Sequence, residues 1–390
     1  MGKLLIIDNE NSFRENISEI LTIKGYEVVS CPDGQTALNM LPIFNPDLII
    51  CDILMPEMDG FEFVNRLRMI DKYCRVPVIY LTALDDIKSI STGFNLNAVD
   101  YITKPFNSEE LLLRINNQLI LKLSKDALVE LCEELTTTKD FIYQGFHYAQ
   151  RLQASINTSA KIIDLFFPGN FIFYKPKNYI SGDFYFINEY DGNVIVALAD
   201  CTGHGIGGAL LSMIGYSGLI HAIIYEKCYN PQDILERLQK FLVEAFKRRN
   251  PEDAINESMD IAICTINKLT KTIKVASCGI KVYLFTGDEV KLYSDASYSL
   301  GDMYIKKTNF LEHGINYNDG DHLYMLTDGF GDQFGGANNK KFSSKREVEL
   351  LTSILPLAIH EQKKTLINSF YEWKGRFKQT DDVSVIGLKL

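Results

Sequence analysis

Four apolar, strand-like runs in the C-terminal half of this 390-residue chain each start or stop on an aspartate. Asp183 opens Phe184–Asn188, Asp200 closes Val194–Ala199, Asp328 closes His322–Thr327, and Asp381-Asp382 open Val383–Leu388. A carboxylate at the end of a buried strand is an awkward charge to leave alone. Four of them, with no His or Cys cluster alongside, describe an all-oxygen site suited to Mg2+ or Mn2+. Around Asp200 the chain adds detail. Asp191-Gly192 is a hairpin signal, and glycines at 203, 205, 207 and 208 allow close backbone approach before a long apolar helix. The spacing Gly203-x-Gly205-x-x-Gly208 also matches a dinucleotide-binding fingerprint. Charge disfavours that reading, because Asp200 would face a pyrophosphate and no βαβ strand with an acidic end follows.

Taken in order, SGDF from Ser181, ADCTGHG from Ala199, LTDGF from Leu326 and DDVSVIGL from Asp381 resemble the metal-dependent PP2C-like protein phosphatases, in particular their bacterial SpoIIE-type branch. Further strand-like runs are Phe171–Lys175, Asp260–Ile266, Ile273–Ser277 and Lys281–Phe285. The resemblance spans residues 166–390 and implies an αββα sandwich, two stacked sheets between helix layers. It implies two Mn2+ or Mg2+ ions bridged by Asp200, with help from the backbone carbonyl of Cys201. Asp328 and Asp381 would complete the second ion, Asp183 would hold waters of the first, and Asp382 is a weaker candidate. His204 is expected to stabilise its turn rather than act in catalysis, and Asp332 to order its loop rather than reach a third ion. The segment Gly331–Lys341 reads as a polar flap.

The N-terminal part has another pattern. Five short apolar strands, Lys3–Ile7, Tyr26–Ser30, Asp47–Cys51, Pro77–Leu81 and Val99–Ile102, alternate with amphipathic helices. This predicts a doubly wound, five-stranded parallel sheet, whose ligands sit beyond the carboxyl ends of the strands. There stand Asp8-Asn9-Glu10, Asp52, Thr82-Ala83 and Lys104-Pro105. Carboxylates, a hydroxyl and a lysine on one edge suit phosphoryl transfer: acids for Mg2+, one exposed Asp as nucleophile, and Lys and Thr for the phosphoryl oxygens. PDLIICDILMPEMDGFEF around Asp52 and VDYITKPF around Lys104 resemble the response-regulator receiver domain. That resemblance implies Asp52 as phospho-acceptor and a Mg2+ pocket of Asp8, Asp52 and the Leu54 carbonyl. Thr82 and Tyr101 become the switch pair, Lys104 the phosphoryl contact before a cis bond to Pro105, and a histidine kinase or small phosphodonor the partner. Receivers usually carry two adjacent acids after the first strand; here the second is Asn9, which offers an oxygen but no charge.

Between the two parts a helix is predicted from Asn107 or Ser108, with Glu109-Glu110 in its first turn. No proline follows until Pro168. Leu128, Leu131, Leu135, Thr138, Ile142, Gly145, Ala149, Leu152, Ile156, Ser159 and Ile163 recur at threes and fours, which predicts a coiled-coil seam and a parallel homodimer. The alternative is a helix packed on its own C-terminal domain.

The net charge of −10 argues against nucleic acid or an anionic membrane as main partner. Eight scattered cysteines without C-x-x-C suit a reducing cytoplasm. No stretch is expected to reach the length of a membrane span. The expected organisation is a receiver over 1–121, a helical connector over 122–165 and a phosphatase domain over 166–390. In that reading aspartyl phosphorylation controls a phosphoserine/phosphothreonine phosphatase whose substrate, by resemblance, is an anti-sigma-factor antagonist. The competing class is a receiver-controlled adaptor that binds a partner without turnover.

Overall fold

The computed structural model describes residues 2–83, 100–246, 257–287, 289–294, 299–301 and 310–390. The chain divides into two compact units, Met1–Asp140 and Phe141–Leu390.

In the first unit β1 (Lys3–Ile7), β2 (Glu27–Cys31), β3 (Leu48–Asp52), β4 (Val78–Ala83) and β5 (Asp100–Lys104) form a parallel sheet in the order β2-β1-β3-β4-β5. Predicted Val99 lies outside the described residues. Every residue of β3 is buried, as expected where helices cover both faces of a sheet. Gly34–Phe44 and Gly60–Arg68 cover one face; Asn11–Ile23 and the first turns of a helix beginning at Ser108 cover the other. The strand order switches direction at β1 and β3, so Asp8 and Asp52 flank the crevice where such sheets hold ligands.

The helix from Ser108 begins with Asn107 Oδ1 accepting from the Glu109 amide (3.0 Å) and runs 49 residues to Ile156. It stops short of the predicted seam's end. Asn157 Oδ1 accepts from Tyr185 N (3.0 Å) and Thr158 Oγ1 from Ile187 N (2.8 Å), local polar groups that compete with helical pairing. A second short helix, Ala160–Phe166, follows. Seam residues Leu128, Leu131, Leu135 and Ile142 are 60, 60, 66 and 50% exposed. Within the second unit the helix packs through Tyr143 and Phe146, which lie against Tyr179, through buried Gln153 and through the seam's own Ile156, and the last seam residue, Ile163, is buried in the core as well.

The second unit stacks two antiparallel sheets. One is β13-β10-β9-β8-β7, built from β7 (Phe184–Tyr190), β8 (Asn193–Cys201), β9 (Met259–Asn267), β10 (Thr272–Cys278) and β13 (His313–Asn316). The other is β12-β11-β14-β17-β6, built from β6 (Asn170–Lys175), β11 (Lys281–Thr286), β12 (Glu289–Tyr293), β14 (His322–Leu326) and β17 (Val383–Lys389). Strand alternation sorts the side chains. Val194, Val196 and Leu198 meet Val282, Leu284 and Ile386 between the sheets. Ile195, Ala197 and Ala199 face the helices Ile206–Ile220 and Pro231–Phe246, while Phe173, Tyr324 and Val385 face Ser344–Ile354 and Ile359–Lys374. This is the αββα sandwich. Asp191 and Gly192 both have positive φ (51° and 72°) in the β7–β8 hairpin, as a primed turn requires.

Three expectations need correction. The edge strands β12 and β13 are absent from the sequence reading, because an exposed edge strand carries little apolar alternation (EVKLY, HGIN). The polar flap Gly331–Lys341 contains a small ribbon, β15 (Phe334–Gly335) with β16 (Lys340–Lys341). The stretch Ile206–Tyr225 does reach the length and hydropathy of a membrane span: its helix continues through a π turn at His221–Tyr225 to give 20 residues of mean hydropathy 1.5. Half of that window is buried in the unit, with Leu211, Leu219, Ala222 and Ile223 in the core.

Candidate functional site

Antiparallel pairing puts the sequence-predicted acids of the second unit on one rim. Asp183 enters β7 where Asp200 leaves β8, and Asp328 follows β14 where Asp381 and Asp382 enter β17. Asp200 is the centre. Burial, then the charges of Asp183 and Asp328, with Asp381 further contributing, raise its pKa well above the ordinary carboxylate range. Burial raises Asp183, which is fully enclosed. Asp328 is exposed at the rim, and desolvation, then Asp332 and Asp381, raise it too.

Neighbours hold these acids in place. Asp183 Oδ2 accepts from Thr327 Oγ1 (3.1 Å) and Ser384 Oγ (2.5 Å), tying the SGDF turn to β14 and β17. Its Oδ1 is buried with no donor. At Gly329 a Cβ would collide with the Asp382 carbonyl, so glycine alone lets the Asp328 turn lie against Asp381. The Cys201 carbonyl faces Gly182 across a gap that a Cβ would fill. Asp382 has both oxygens engaged, by Lys177 N (2.6 Å) and Gly182 N (2.6 Å), and it orders the SGDF loop. His204 Nδ1 lies 3.2 Å from Asn178 Nδ2, and Asp332 pairs with Lys341 (2.7 Å).

In the first unit Lys104 Nζ lies 2.7 Å from Asp8 Oδ2, 3.3 Å from Asp52 Oδ1 and 4.3 Å from the centroid of Phe13. Asp8 is fully buried and its Oδ1 accepts from Glu10 N (2.9 Å). Desolvation raises the Asp52 pKa while Lys104 opposes it. Lys104-Pro105 is cis. Thr82 is buried, whereas Tyr101, one strand over, is 38% exposed, a surface aromatic rather than a core one. Asn9 and Leu54 are exposed.

A family model described as a response regulator receiver domain matches residues 4–116, and one described as Stage II sporulation protein E (SpoIIE) matches residues 190–390. The chain belongs to the SpoIIE family. It is a receiver domain joined to a SpoIIE-type, PP2C-like domain. The SiaA-PP2C domain of Pseudomonas aeruginosa shares the fold: 24% identity, TM-score 0.59, 65% of this chain and 98% of that one covered. Among curated relatives, the probable transcriptional regulator ycf27 of Porphyridium aerugineum is 43% identical over 117 residues, 30% of this chain and 48% of its own. The DNA-binding dual master transcriptional regulator RpaA of Synechocystis is 38% identical over 115 residues, again 30% and 48%. The chain thus spans about half the length of the curated relatives it matches. The SpoIIE match begins downstream of Asp183, so that aspartate is placed by the fold rather than by the match.

The SpoIIE-type rim fits hard divalent cations. Among the described residues no three acidic, His or Cys side chains converge on one metal-sized point. The charges of Asp183, Asp328 and Asp381 instead all bear on Asp200. Together with the orphaned Asp183 Oδ1, this is a set of oxygens short of positive charge, the need a cation meets. The sign of the pH dependence follows. Asp183, Asp200 and Asp328 have folded pKa values raised above their unfolded ones, so their contribution to stability is greatest below about pH 4 and is lost as pH rises through the folded values. The melting temperature in EDTA is expected to fall between pH 5 and 8, and the increment on adding Mn2+ to grow over the same range. An increment independent of pH would argue against the cluster.

Two residues escaped the sequence reading. Asp260, read only as a strand start, pairs directly opposite Asp200 in the β8–β9 register, so its carboxylate shares that face of the sheet; strand register, which no local motif encodes, reveals it. Gln153, one more polar residue of the helix in sequence, is 5% exposed. Its Nε2 donates to the Ser181 carbonyl (2.5 Å) and Ser212 Oγ (3.0 Å), and its Oε1 accepts from Ser181 N (2.9 Å).

Proposed function

We propose that this SpoIIE-family chain is a two-component effector whose receiver, phosphorylated on Asp52 by a histidine kinase or small phosphodonor, controls a metal-dependent phosphoserine/phosphothreonine phosphatase. The observation that carries the reading is that Asp183, Asp200, Asp328 and Asp381 stand at separate strand ends along one rim, where the charges of the other three all bear on Asp200. In this reading the receiver spans 1–121, the connector 122–165 and the phosphatase 166–390. Asp8, Asn9, Asp52 and the Leu54 carbonyl hold Mg2+. Lys104, already bridging Asp8 and Asp52, takes the phosphoryl oxygens, and Thr82 and Tyr101 repack. Asp200 with the Cys201 carbonyl, Asp328 and Asp381 hold a pair of Mn2+ or Mg2+ ions; Asp183 orients water and Asp382 keeps the loop in place. Bound, the ions supply a water of lowered pKa and positive charge for the phosphoryl oxygens. An adaptor without turnover has no use for this acid set.

The substrate class is a phosphorylated partner protein of the anti-sigma-factor antagonist type. The exposed seam at Leu128, Leu131, Leu135 and Ile142 serves a parallel homodimer, and eight free cysteines suit the cytoplasm. Phosphoprotein turnover, measured with Asp52 intact, replaced by alanine, or loaded with beryllofluoride, tests the coupling. Beryllofluoride is expected to change turnover at least about fivefold (~1 kcal/mol, the lower range of allosteric coupling) in the Asp52 form alone. Equal rates in all three would disprove receiver control. Light scattering on the same samples should give twice the chain mass; a strict monomer at micromolar concentration would remove the dimer.

A further inference from the structure

Beside the acidic rim the surface changes sign. Residues 332–346 and 373–380 carry seven lysines and arginines against a single carboxylate, Asp332, in a chain whose net charge is −10. The fold joins the two segments. The Trp373 carbonyl accepts from Gly336 N (2.9 Å), its Nε1 donates to Gln333 O (3.0 Å), and the Arg346 guanidinium lies 4.5 Å from the ring centroid. Buried Gln333 completes the joint: its Nε2 donates to Lys378 O (3.1 Å) and its Oε1 accepts from Thr380 N (3.0 Å). Ribbon β15–β16 and the chain from Lys374 to Thr380 therefore form one ridge.

Part of its charge is compensated. Lys341 pairs with Asp332 at 2.7 Å and Lys345 meets Glu349 at 4.0 Å. Lys340, Arg376 and Lys378 are exposed, and no ion pair engages them among the described residues. Lys378 stands three residues before Asp381, which is at most about 11 Å of extended chain. A phosphoryl group at the aspartate rim thus places its neighbours within three or four residues over these cations. A continuous phosphate backbone fits less well, since it would run on across Asp328 and Asp381. Discrete carboxylates on a peptide avoid that repulsion.

We propose that this basic ridge binds acidic residues flanking the phosphorylated residue of the protein substrate, within about four positions of it. The proposal rests on the phosphatase reading above and adds a sequence preference to it. Three exposed charge pairs of ordinary surface strength together give about tenfold in affinity, sensitive to salt.

The test is fluorescence anisotropy on the full chain with Mn2+, using peptides that carry a non-hydrolysable phosphonate analogue of phosphoserine. One has Asp and Glu at the flanking positions, the other Asn and Gln. The wild type is expected to bind the acidic peptide about tenfold more tightly at low salt, and the triple variant K340Q/R376Q/K378Q to lose most of that preference. Equal affinity of the wild type for both peptides would overturn the proposal, as would an undiminished preference in the variant. Displacement of the acidic peptide by duplex DNA at equal or lower concentration would also overturn it, and would mark the ridge as a general polyanion surface. The phosphonate is not turned over, so these outcomes stand apart from catalysis; loss of Mn2+-dependent phosphopeptide hydrolysis alone would count against the phosphatase reading and not against the ridge.

Discussion

Asp200→Asn is expected to lower Mn2+-dependent turnover of p-nitrophenyl phosphate by about a thousandfold or more, the ~4 kcal/mol scale on which metal charge acts in a transition state. The reason is position. Asp200 is the acid that feels Asp183, Asp328 and Asp381 together, so its carboxylate is the one a pair of ions would share. The same substitution should raise the melting temperature of the metal-free protein at pH 8, because it removes one of several like charges that desolvation already opposes. Isothermal calorimetry with Mn2+ should show weakened or missing binding. Turnover and Mn2+ binding fall while the melting temperature rises, which separates loss of a ligand from loss of fold. Wild-type turnover and wild-type Mn2+ affinity in a stably folded Asp200→Asn protein would sink the assignment.

Gln153→Ala should affect both stability and control. It leaves the Ser181 amide, the Ser181 carbonyl and the Ser212 hydroxyl without the partner they have now. A buried polar group left unpaired costs about 1–3 kcal/mol, so the melting temperature should drop by roughly 2–12 °C for a unit of this size. Ser181 is two residues from Asp183, and its turn would loosen. Turnover should fall about tenfold or more, with a rise in the Mn2+ concentration needed for half-activity, as expected when a site's supporting shell is removed. The helix that carries Gln153 begins at Ser108 on the sheet of the first unit, so the response to beryllofluoride at Asp52 should shrink as well. A Gln153→Ala protein with normal stability and an undiminished response would show that this amide is not part of the connection.

Much of both folds is legible residue by residue. Four strands of the first unit and eight of the second were expected within two residues of where they lie, because buried strands must be apolar and the residues that end them are not. The strands that escaped, β12, β13 and the β15–β16 ribbon, lie at edges or in short hairpins, where solvent relaxes the need for a pattern. The helix between the units was readable from its period and from the lack of proline. Its end was not: Asn157 and Thr158 stop it through hydrogen bonds to Tyr185 and Ile187, residues of a strand whose proximity no local rule predicts. Exposure likewise distinguished the seam's exposed part, Leu128 to Ile142, from the packed Tyr143, Phe146, Gln153 and Ile156.

The sequence by itself singled out the candidate side chains: Asp8, Asp52 and Lys104 in one unit, Asp183, Asp200, Asp328 and Asp381 in the other. Each sits at a strand end or turn, and local hydrophobicity and glycine placement mark such points. Only the tertiary structure decided which of them meet and who holds them. Antiparallel register put Asp260 opposite Asp200, assigned both oxygens of Asp382 to backbone amides, and placed Gln153 against the loop of Asp183. It also gathered cations from two distant segments around Trp373. The physical reason is the range of the forces. Periodicity and turn chemistry act over a few residues, whereas electrostatic and hydrogen-bonding partners are chosen by proximity in space.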